Sequence, residues 1–293
     1  MPELPEVETV RTGLSQLLLG KLIAKEEHDW PKGFPNTDFD VQSFMIGVEI
    51  LGIRRRAKVL IIDLSSAYSL VVHLKMTGQL VFVGRDYRFG AGHPNDSLVG
   101  SLPDKSTRVT LTFDDGSRLF FNDQRKFGWM RLLPTAEVPN IDFFKRVGPE
   151  PLADDFTATA FRERLKVRQN SMIKAVLLDQ SVIAGVGNIY ADESLWAAKI
   201  HPAERVKNIG DRKMNTLFNE LRAILKLSID KGGSSDKNYV NAEGKRGSYL
   251  SFANVFRREG KPCFRHPDTL IEKSRVAGRG THTCPKCQKL KAA

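Results

Sequence analysis

The sequence predicts an α+β protein of several domains, and three observations carry that expectation. Apolar residues recur at the helical period near the start, at a period of two as far as residue 135, and at the helical period again beyond residue 155. The length of 293 residues suggests about two domains of ordinary size, with ample apolar material for a core. Charge is also unevenly spread. Residues 244–293 hold twelve Lys and Arg against three acids, so this segment carries nine of the net eleven positive charges.

The elements follow in order. Glu6 to Leu19 reads as an amphipathic helix, with Val7, Val10, Leu14, Leu17 and Leu18 on one face, Pro5 in its first turn and Gly20 at its stop. Val59–Ile62 and Leu70–Leu74 read as buried strands. Val109, Leu111 and Phe113 alternate with polar residues up to Asp115-Gly116, and Leu119 and Phe121 resume the pattern, a hairpin signature. A β-sandwich or barrel with one leading helix is therefore expected over 1–135, with 84–107 as a long surface loop. Residues 136–233 are expected to form a second domain whose pattern is helical from about Asp155 onward. Short helices are marked by Phe156, Phe161 and Leu165 and by Ile173, Val176 and Leu177, and a long one by Met214 to Ile229, stopped by Gly232-Gly233. Between them Gly185-Val186-Gly187-Asn188 is a tight turn feeding a helix over Ile189–Ala198, which gives helix, two turns, helix. Residues 234–293 open with a polar loop, Ser234–Ser248, and finish in a small basic module.

Composition excludes several classes. Apolar residues are 41% and charged residues 27%, as in ordinary globular chains. No apolar run approaches the roughly 18 residues of a membrane span. The acidic start, MPELPEVETV, lacks the layout of a secretory signal. Three cysteines are too few for a disulfide framework, so a reducing cytosol is expected. A basic excess suits a polyanionic partner, because each cation placed on a phosphate releases counterions.

The cysteines are not scattered. Cys263-x2-His266-x17-Cys284-x2-Cys287 forms two chelating pairs separated by a loop, the pattern of a tetrahedral structural zinc site. So short a module with so few apolar side chains needs such a staple. His282 is a rival nitrogen donor, with awkward chelate geometry two residues before Cys284. With four protein ligands, one structural zinc ion would hold the module together rather than perform chemistry. At the other end, removal of Met1 would expose the secondary amine of Pro2, nucleophilic near neutral pH, with Glu3 beside it to supply a proton.

The sequence closely resembles the bacterial formamidopyrimidine-DNA glycosylase family, the base-excision enzymes for 8-oxoguanine and ring-opened purines. The matching segments run the whole length: Pro2-Glu3-Leu4-Pro5-Glu6-Val7-Glu8, Arg55-Arg56-Ala57-Lys58, His73-Leu74-Lys75-Met76-Thr77-Gly78 and Asp123-Gln124-Arg125-Lys126-Phe127-Gly128. Beyond them come Gly148-Pro149-Glu150-Pro151-Leu152, Ile173-Lys174, Gly185 to Glu193, and Gly278-Arg279-Gly280-Thr281 with Cys284 and Cys287. The resemblance implies an N-terminal β-sandwich with a leading helix, a helix–two-turn–helix domain and a C-terminal zinc finger.

It also implies roles. Pro2 would attack C1′ of the damaged nucleotide and form a Schiff base, with Glu3 protonating the opening sugar. Lys58 matches the lysine assigned to β-elimination and Arg279 the finger arginine assigned to δ-elimination, though a guanidinium is a poor proton donor and better suits phosphate binding. Met76, Arg125 and Phe127 match the trio that fills the hole left by an extruded base. Lys174 and Asn188 match phosphate contacts, Asn188 at a helix N-terminus. Ser234–Ser248 corresponds to the lesion-capping segment. Four departures stand out: Gln124, His266 for a usual cysteine, Ser106 for a usual histidine before the hairpin, and Asn170 where many relatives have a base on the phosphate path. The partner implied is damaged double-stranded DNA, the protein a cytoplasmic, nucleoid-associated monomer with no membrane association. Rival readings are an endonuclease VIII-like enzyme for oxidised pyrimidines, against which Leu4 counts, and a non-catalytic zinc-finger DNA-binding protein, which would need none of Pro2, Glu3 and Lys58.

Overall fold

The computed structural model describes residues 1–93, 95–234 and 249–290. The chain divides into two compact units, one of Met1–Lys145 with Lys231–Ser248 and the other of Arg146–Asp230 with Tyr249–Ala293. The helical region and the cysteine-bearing module therefore share one unit, where the sequence pattern separates them at residue 234. Of the expected capping segment only Ser234 falls among the described residues; 235–248 lie outside them. No described helix is long and apolar enough to cross a membrane.

The first unit begins with α1 (Leu4–Leu18), two residues longer at its start than periodicity suggests, because Glu3 closes a capping box with Glu6. There follow β1 (Ile23–His28), α2 (Asp38–Phe44), β2 (Ile50–Arg56), β3 (Val59–Leu64), β4 (Tyr68–His73) and β5 (Gly78–Val83). Next come β6 (Arg88–Gly92), β7 (Thr107–Phe113), β8 (Arg118–Asp123) and β9 (Trp129–Pro134). The strands form two antiparallel sheets, ordered β1-β7-β8-β5-β6 and β2-β3-β4-β9. Leu60, Ile62, Leu70 and Val72 of one sheet and Leu80, Val109, Leu111, Leu119 and Phe121 of the other bury into one core, closed by Val7, Val10 and Leu14 of α1. The uninterrupted apolar run of β3 has a simple cause. Val59 and Ile61 point to the opposite face, where they meet Val71, Val138 and Phe143.

The segment 84–107 is not wholly a loop. It contributes β6, which pairs with β5 from Gln79↔Gly92 to Val83↔Arg88. Phe89, 1% exposed, packs on Gly13 of α1, where a Cβ would lie 2.3 Å from the ring. Short length and the glycines at 90 and 92 hide this strand from period-based reading.

The second unit holds α4 (Ala158–Lys166), α5 (Ile173–Leu178), α6 (Asn188–Ala197) and α7 (Asp211–Asp230), after a short α3 (Asp142–Arg146) at the boundary. The turns between α5 and α6 are pinned by Gln180, which donates to Leu178 O and Val186 O and accepts from Gly185 N. The amphipathic face of α7, Met214 to Leu225, packs on Phe161, Ile173, Tyr190 and Leu195. After α8 (Tyr249–Phe252) come two small hairpins, β10 (Pro262–Cys263) with β11 (His266–Leu270), and β12 (Glu272–Val276) with β13 (Arg279–Thr283), followed by the turn that holds Cys284 and Cys287.

Candidate active site and metal centre

In the first unit, Pro2 is buried and Glu3 is 4% exposed at the cap of α1. Glu6 reaches back to Glu3 N at 2.8 Å, and its other oxygen accepts from Ser234 N at 2.8 Å. Lys58 sits in the β2–β3 turn, 5% exposed, after Ala57 in the left-handed region at φ 54°. Arg55 makes the connection. It donates to Glu8 of α1 at 2.7 Å and to Ala57 O at 3.0 Å, so the turn that carries Lys58 is tied to the helix that Pro2 precedes.

Next to Lys58, His73 is buried on the facing strand, in register with Val59. Burial, together with Lys75 and Lys58 nearby, lowers its pKa to about 3, so it is neutral near pH 7. Its Nδ1 accepts from Lys75 N at 3.0 Å. His93, which follows β6, belongs to no sequence motif. Its N–H donates to Gly78 O at 3.0 Å, and burial and the chain's N-terminal amine lower its pKa while Asp123 opposes them.

Met76 and Phe127 are exposed, 38% and 53%, on two turns of this unit, and the Arg125 guanidinium lies 4.8 Å from the Phe127 ring centroid. Large apolar side chains held in water on tight turns are unlike core residues. Gln124 is exposed beside them. Ser106 is 2% exposed. Its hydroxyl donates to Asp104 at 2.7 Å and lies 3.0 Å from that of Ser97, while its carbonyl accepts from Asp123 N. In place of the histidine usual at this position, the serine is a buried loop staple.

In the second unit, Asn170 lies on an exposed turn after α4. Lys174 is fully buried. Its ammonium donates to Asp192 at 2.6 Å, to Gly280 O at 2.9 Å and to Thr281 Oγ1 at 2.8 Å. Asn188, the first residue of α6, donates from Nδ2 to the same Gly280 carbonyl at 3.0 Å. Both residues thus fasten the turn that presents exposed Arg279, whose hairpin closes through Ala277 and Gly278 at positive φ. As placed, Lys174 offers no charge to a phosphate.

Cys263, His266, Cys284 and Cys287 bring their donor atoms within 4.8 Å of one another, so the four could hold a metal ion. Cys263 and Cys287 sulfurs are 3.7 Å apart, and His266 Nδ1 lies 3.2 Å from Cys287 and 4.0 Å from Cys284. Burial opposes ionisation at Cys263, but donors from Arg265, Trp196 and His266 bring its pKa to about 7. Burial and the two neighbouring thiols push Cys287 up to about 12. Such crowding of sulfur atoms without a disulfide is what a bound cation would relieve. His282 takes no part. Its Nδ1 and N–H meet Asp192 at 3.2 and 2.9 Å.

Family models decide the kinship. Residues 1–130 match the formamidopyrimidine-DNA glycosylase N-terminal domain, and residues 147–239 match the formamidopyrimidine-DNA glycosylase H2TH domain. The chain belongs to the formamidopyrimidine-DNA glycosylase family. Family members from Herpetosiphon aurantiacus and Pediococcus pentosaceus are 41% and 40% identical, over 98% and 99% of this chain and 100% of each relative. A mutant glycosylase from Lactococcus lactis, solved with Fapy-dG DNA, superposes with a TM-score of 0.86 at 35% identity, covering 98% of this chain and 100% of that one. A MutM complex with carbocyclic 8-oxo-G DNA gives 0.84 at 35% identity, covering 98% and 100%.

Within this glycosylase family chain, two sets of polar residues inside the matched segments have structural roles that the sequence pattern does not assign. Asp123 organises the Met76 and Phe127 turns, and the adjacent acids Asp192 and Glu193, both fully buried, clamp the cysteine-bearing module. Glu193 accepts four bonds, from Asn254 N and Nδ2, Val255 N and Phe256 N. Two successive acids in an otherwise apolar helix are the signal that could have found that pair.

Proposed function

We propose that this chain is a DNA glycosylase with lyase activity that excises oxidised purines, 8-oxoguanine and formamidopyrimidines, from duplex DNA. The observation that carries the reading is the α1 N-terminus: a buried proline and carboxylate, with a buried lysine on a turn tied to that helix, in a chain of this family. Solved relatives of comparable length carry Fapy-dG or 8-oxo-G DNA, which supports the purine substrate.

With Met1 removed, the Pro2 nitrogen attacks C1′ and the base leaves with the electron pair of its glycosidic bond. Loss of the nitrogen's proton as C1′–O4′ breaks gives the iminium, and the O4′ oxygen takes a proton from Glu3. The iminium acidifies C2′, and loss of that proton expels the 3′ phosphate. A second elimination expels the 5′ phosphate and leaves a one-nucleotide gap. Lys58 serves the first elimination; Arg279 binds phosphate. Met76 and Phe127 wedge into the stack and Arg125 meets the orphaned base. Exposed Lys273, Arg275 and Arg279 on the last hairpin suit the DNA backbone. The protein acts as a monomer on damaged DNA in the cytoplasm.

The metal we assign is one structural zinc. Zinc–thiolate bonds of about 2.3 Å place tetrahedral sulfurs roughly 3.8 Å apart, and Cys263 and Cys287 stand at 3.7 Å. Three cysteines and one histidine complete the shell, leaving no open position for chemistry.

Borohydride trapping tests the reading. Duplexes with 8-oxoguanine opposite cytosine should give a covalent adduct at Pro2, and a one-nucleotide gap without borohydride. Pro2→Gly should retain DNA binding and lose most of the adduct. An adduct formed mainly on thymine glycol DNA would move the substrate to oxidised pyrimidines, and no adduct with DNA binding intact would leave a binding protein.

A further inference from the structure

Asp123, the last residue of β8, is 1% exposed and accepts from four donors on two separate turns. Oδ1 takes the Thr77 hydroxyl, in a short contact, and Arg125 N at 3.2 Å. Oδ2 takes Phe127 N at 2.8 Å and Gly128 N at 2.6 Å. Thr77 Oγ1 also accepts from Arg125 N, at 3.1 Å, so that amide is shared between the two side chains. The Asp123 backbone is itself held, by Arg108 Nε on its carbonyl at 3.0 Å and by Ser106 O on its N–H at 2.7 Å.

Both turns need such restraint. Lys75 and Lys126 sit at φ 50° and 56°, a region that L-residues avoid unless their surroundings hold them there. Residues 124–127 are all exposed, so burial does little to fix their shape; outside the turn, Lys126 lies over the Trp30 ring, 4.4 Å from its centroid. Glycines let the turns close on the carboxylate. A Cβ at Gly128 would stand 2.6 Å from the Phe121 ring and 3.1 Å from Asp123 Oδ2, and one at Gly78 would stand 2.3 Å from Leu74 O.

We propose that Thr77 and Asp123 form a clip that fixes the Met76 turn to the Arg125–Phe127 turn, so that both wedges and the cation enter the duplex as one rigid body. The two clip residues are positioning residues for base extrusion, and the inference rests on the wedge reading above. Extrusion costs unstacking free energy. A wedge already shaped for insertion spends none of its binding energy on ordering itself. Threonine is suited to the junction because one hydroxyl donates to Asp123 and accepts from Arg125 N. Valine has the same shape and can do neither, whereas serine can do both.

Thr77→Val, Thr77→Ser and Asp123→Asn test the clip on two substrates. One is a duplex with 8-oxoguanine opposite cytosine under single turnover. The other is a single-stranded oligonucleotide with an abasic site, which has no base to extrude. Thr77→Val should slow duplex excision roughly 10-fold or more, as expected for a lost hydrogen bond to a charged group, and change abasic cleavage less than about two-fold. Thr77→Ser should restore the duplex rate to within about three-fold. Asp123→Asn should show a larger loss of the same kind, with folding checked by circular dichroism. A 2-aminopurine beside the lesion should unstack more slowly in Thr77→Val. Equal losses on both substrates, an unchanged duplex rate, or no rescue by serine would overturn the clip. Met76→Ala and Phe127→Ala separate the two readings. If they leave duplex excision intact the wedge reading fails, and if only Thr77→Val is silent the clip alone fails.

Discussion

The sandwich of the first unit and the cysteine-bearing module of the second are held by different forces. The sandwich buries an apolar core from two sheets and α1, with Leu60, Leu70, Leu80 and Leu14 all at 0% exposure. The module has Trp196, Val255, Ile271 and three cysteines for a core. What it lacks in apolar area it replaces with a Cys/His cluster that could hold a metal ion and with the carboxylates of α6. Asp192 takes Lys174 and His282, and Glu193 takes the backbone of residues 254–256. Apolar burial is spread over many contacts and loses a fraction with each truncation. Ligands and buried charges are few, so each loss is felt nearly whole.

Removing the metal should separate the two regions most sharply. Structural zinc contributes about 10–16 kcal/mol of apparent binding free energy in small modules. A chelator, or Cys284→Ser, should therefore abolish hydrogen-exchange protection over residues 263–287 and leave the sandwich strands protected. Loss of protection in both regions at once would break the contrast. Metal content by mass spectrometry should fall from one zinc per chain to none.

A smaller effect is expected inside the second unit. Lys174→Met keeps the length of the side chain and removes the charge, leaving the Asp192 carboxylate buried beside His282. Breaking one partner of a buried pair costs about 3–5 kcal/mol. Denaturant unfolding should show that loss, and DNA affinity should fall through the slackened Arg279 turn. If affinity falls with stability unchanged, Lys174 binds phosphate directly.

In the sandwich the most gradual effect is one of pH. His73 has a folded pKa of about 3 against about 6.5 in the unfolded chain. Between those values the unfolded chain holds the extra proton, so stability is full above pH 6.5 and declines as pH falls toward 3. The decline should be on the order of a few kcal/mol, and His73→Phe should flatten it. A melting profile with the same slope in both proteins would assign the acid sensitivity elsewhere.

Elements with long periodic faces are legible in the amino-acid pattern. α1, the β7–β8 hairpin, α6 and α7 lie within a few residues of their expected bounds, since burial of an apolar stripe dictates their period. β6 is not legible, because five residues with two glycines carry no usable period, and they become a strand by pairing with β5 while Phe89 packs on Gly13. The site divides in the same way. Spacing alone pairs Cys263 with His266 and Cys284 with Cys287, because two-residue gaps let one turn chelate. The burial of Ser106 and of Lys174 is hidden, because a hydroxyl or an ammonium enters a core only when distant partners neutralise it. Apart from Asp104, two residues from Ser106, those partners stand 9 and 18 or more residues away, at Ser97 and at Asp192, Gly280 and Thr281.

By itself the sequence determined the kinship, the order of helices and strands and the pairing of the Cys/His residues that cluster, all of which depend on local periodicity or on short fixed spacings. Tertiary structure alone decided which polar side chains face solvent and which are spent inside. It turned Lys174 inward to Asp192, seated Ser106 beneath its loop, and gathered four donors from two turns on Asp123. The physical reason is that a hydrogen bond or ion pair is short-ranged and directional. Its partner is chosen by where the fold brings the chain, and two residues 46 apart such as Thr77 and Asp123 meet only once β5 and β8 are in register.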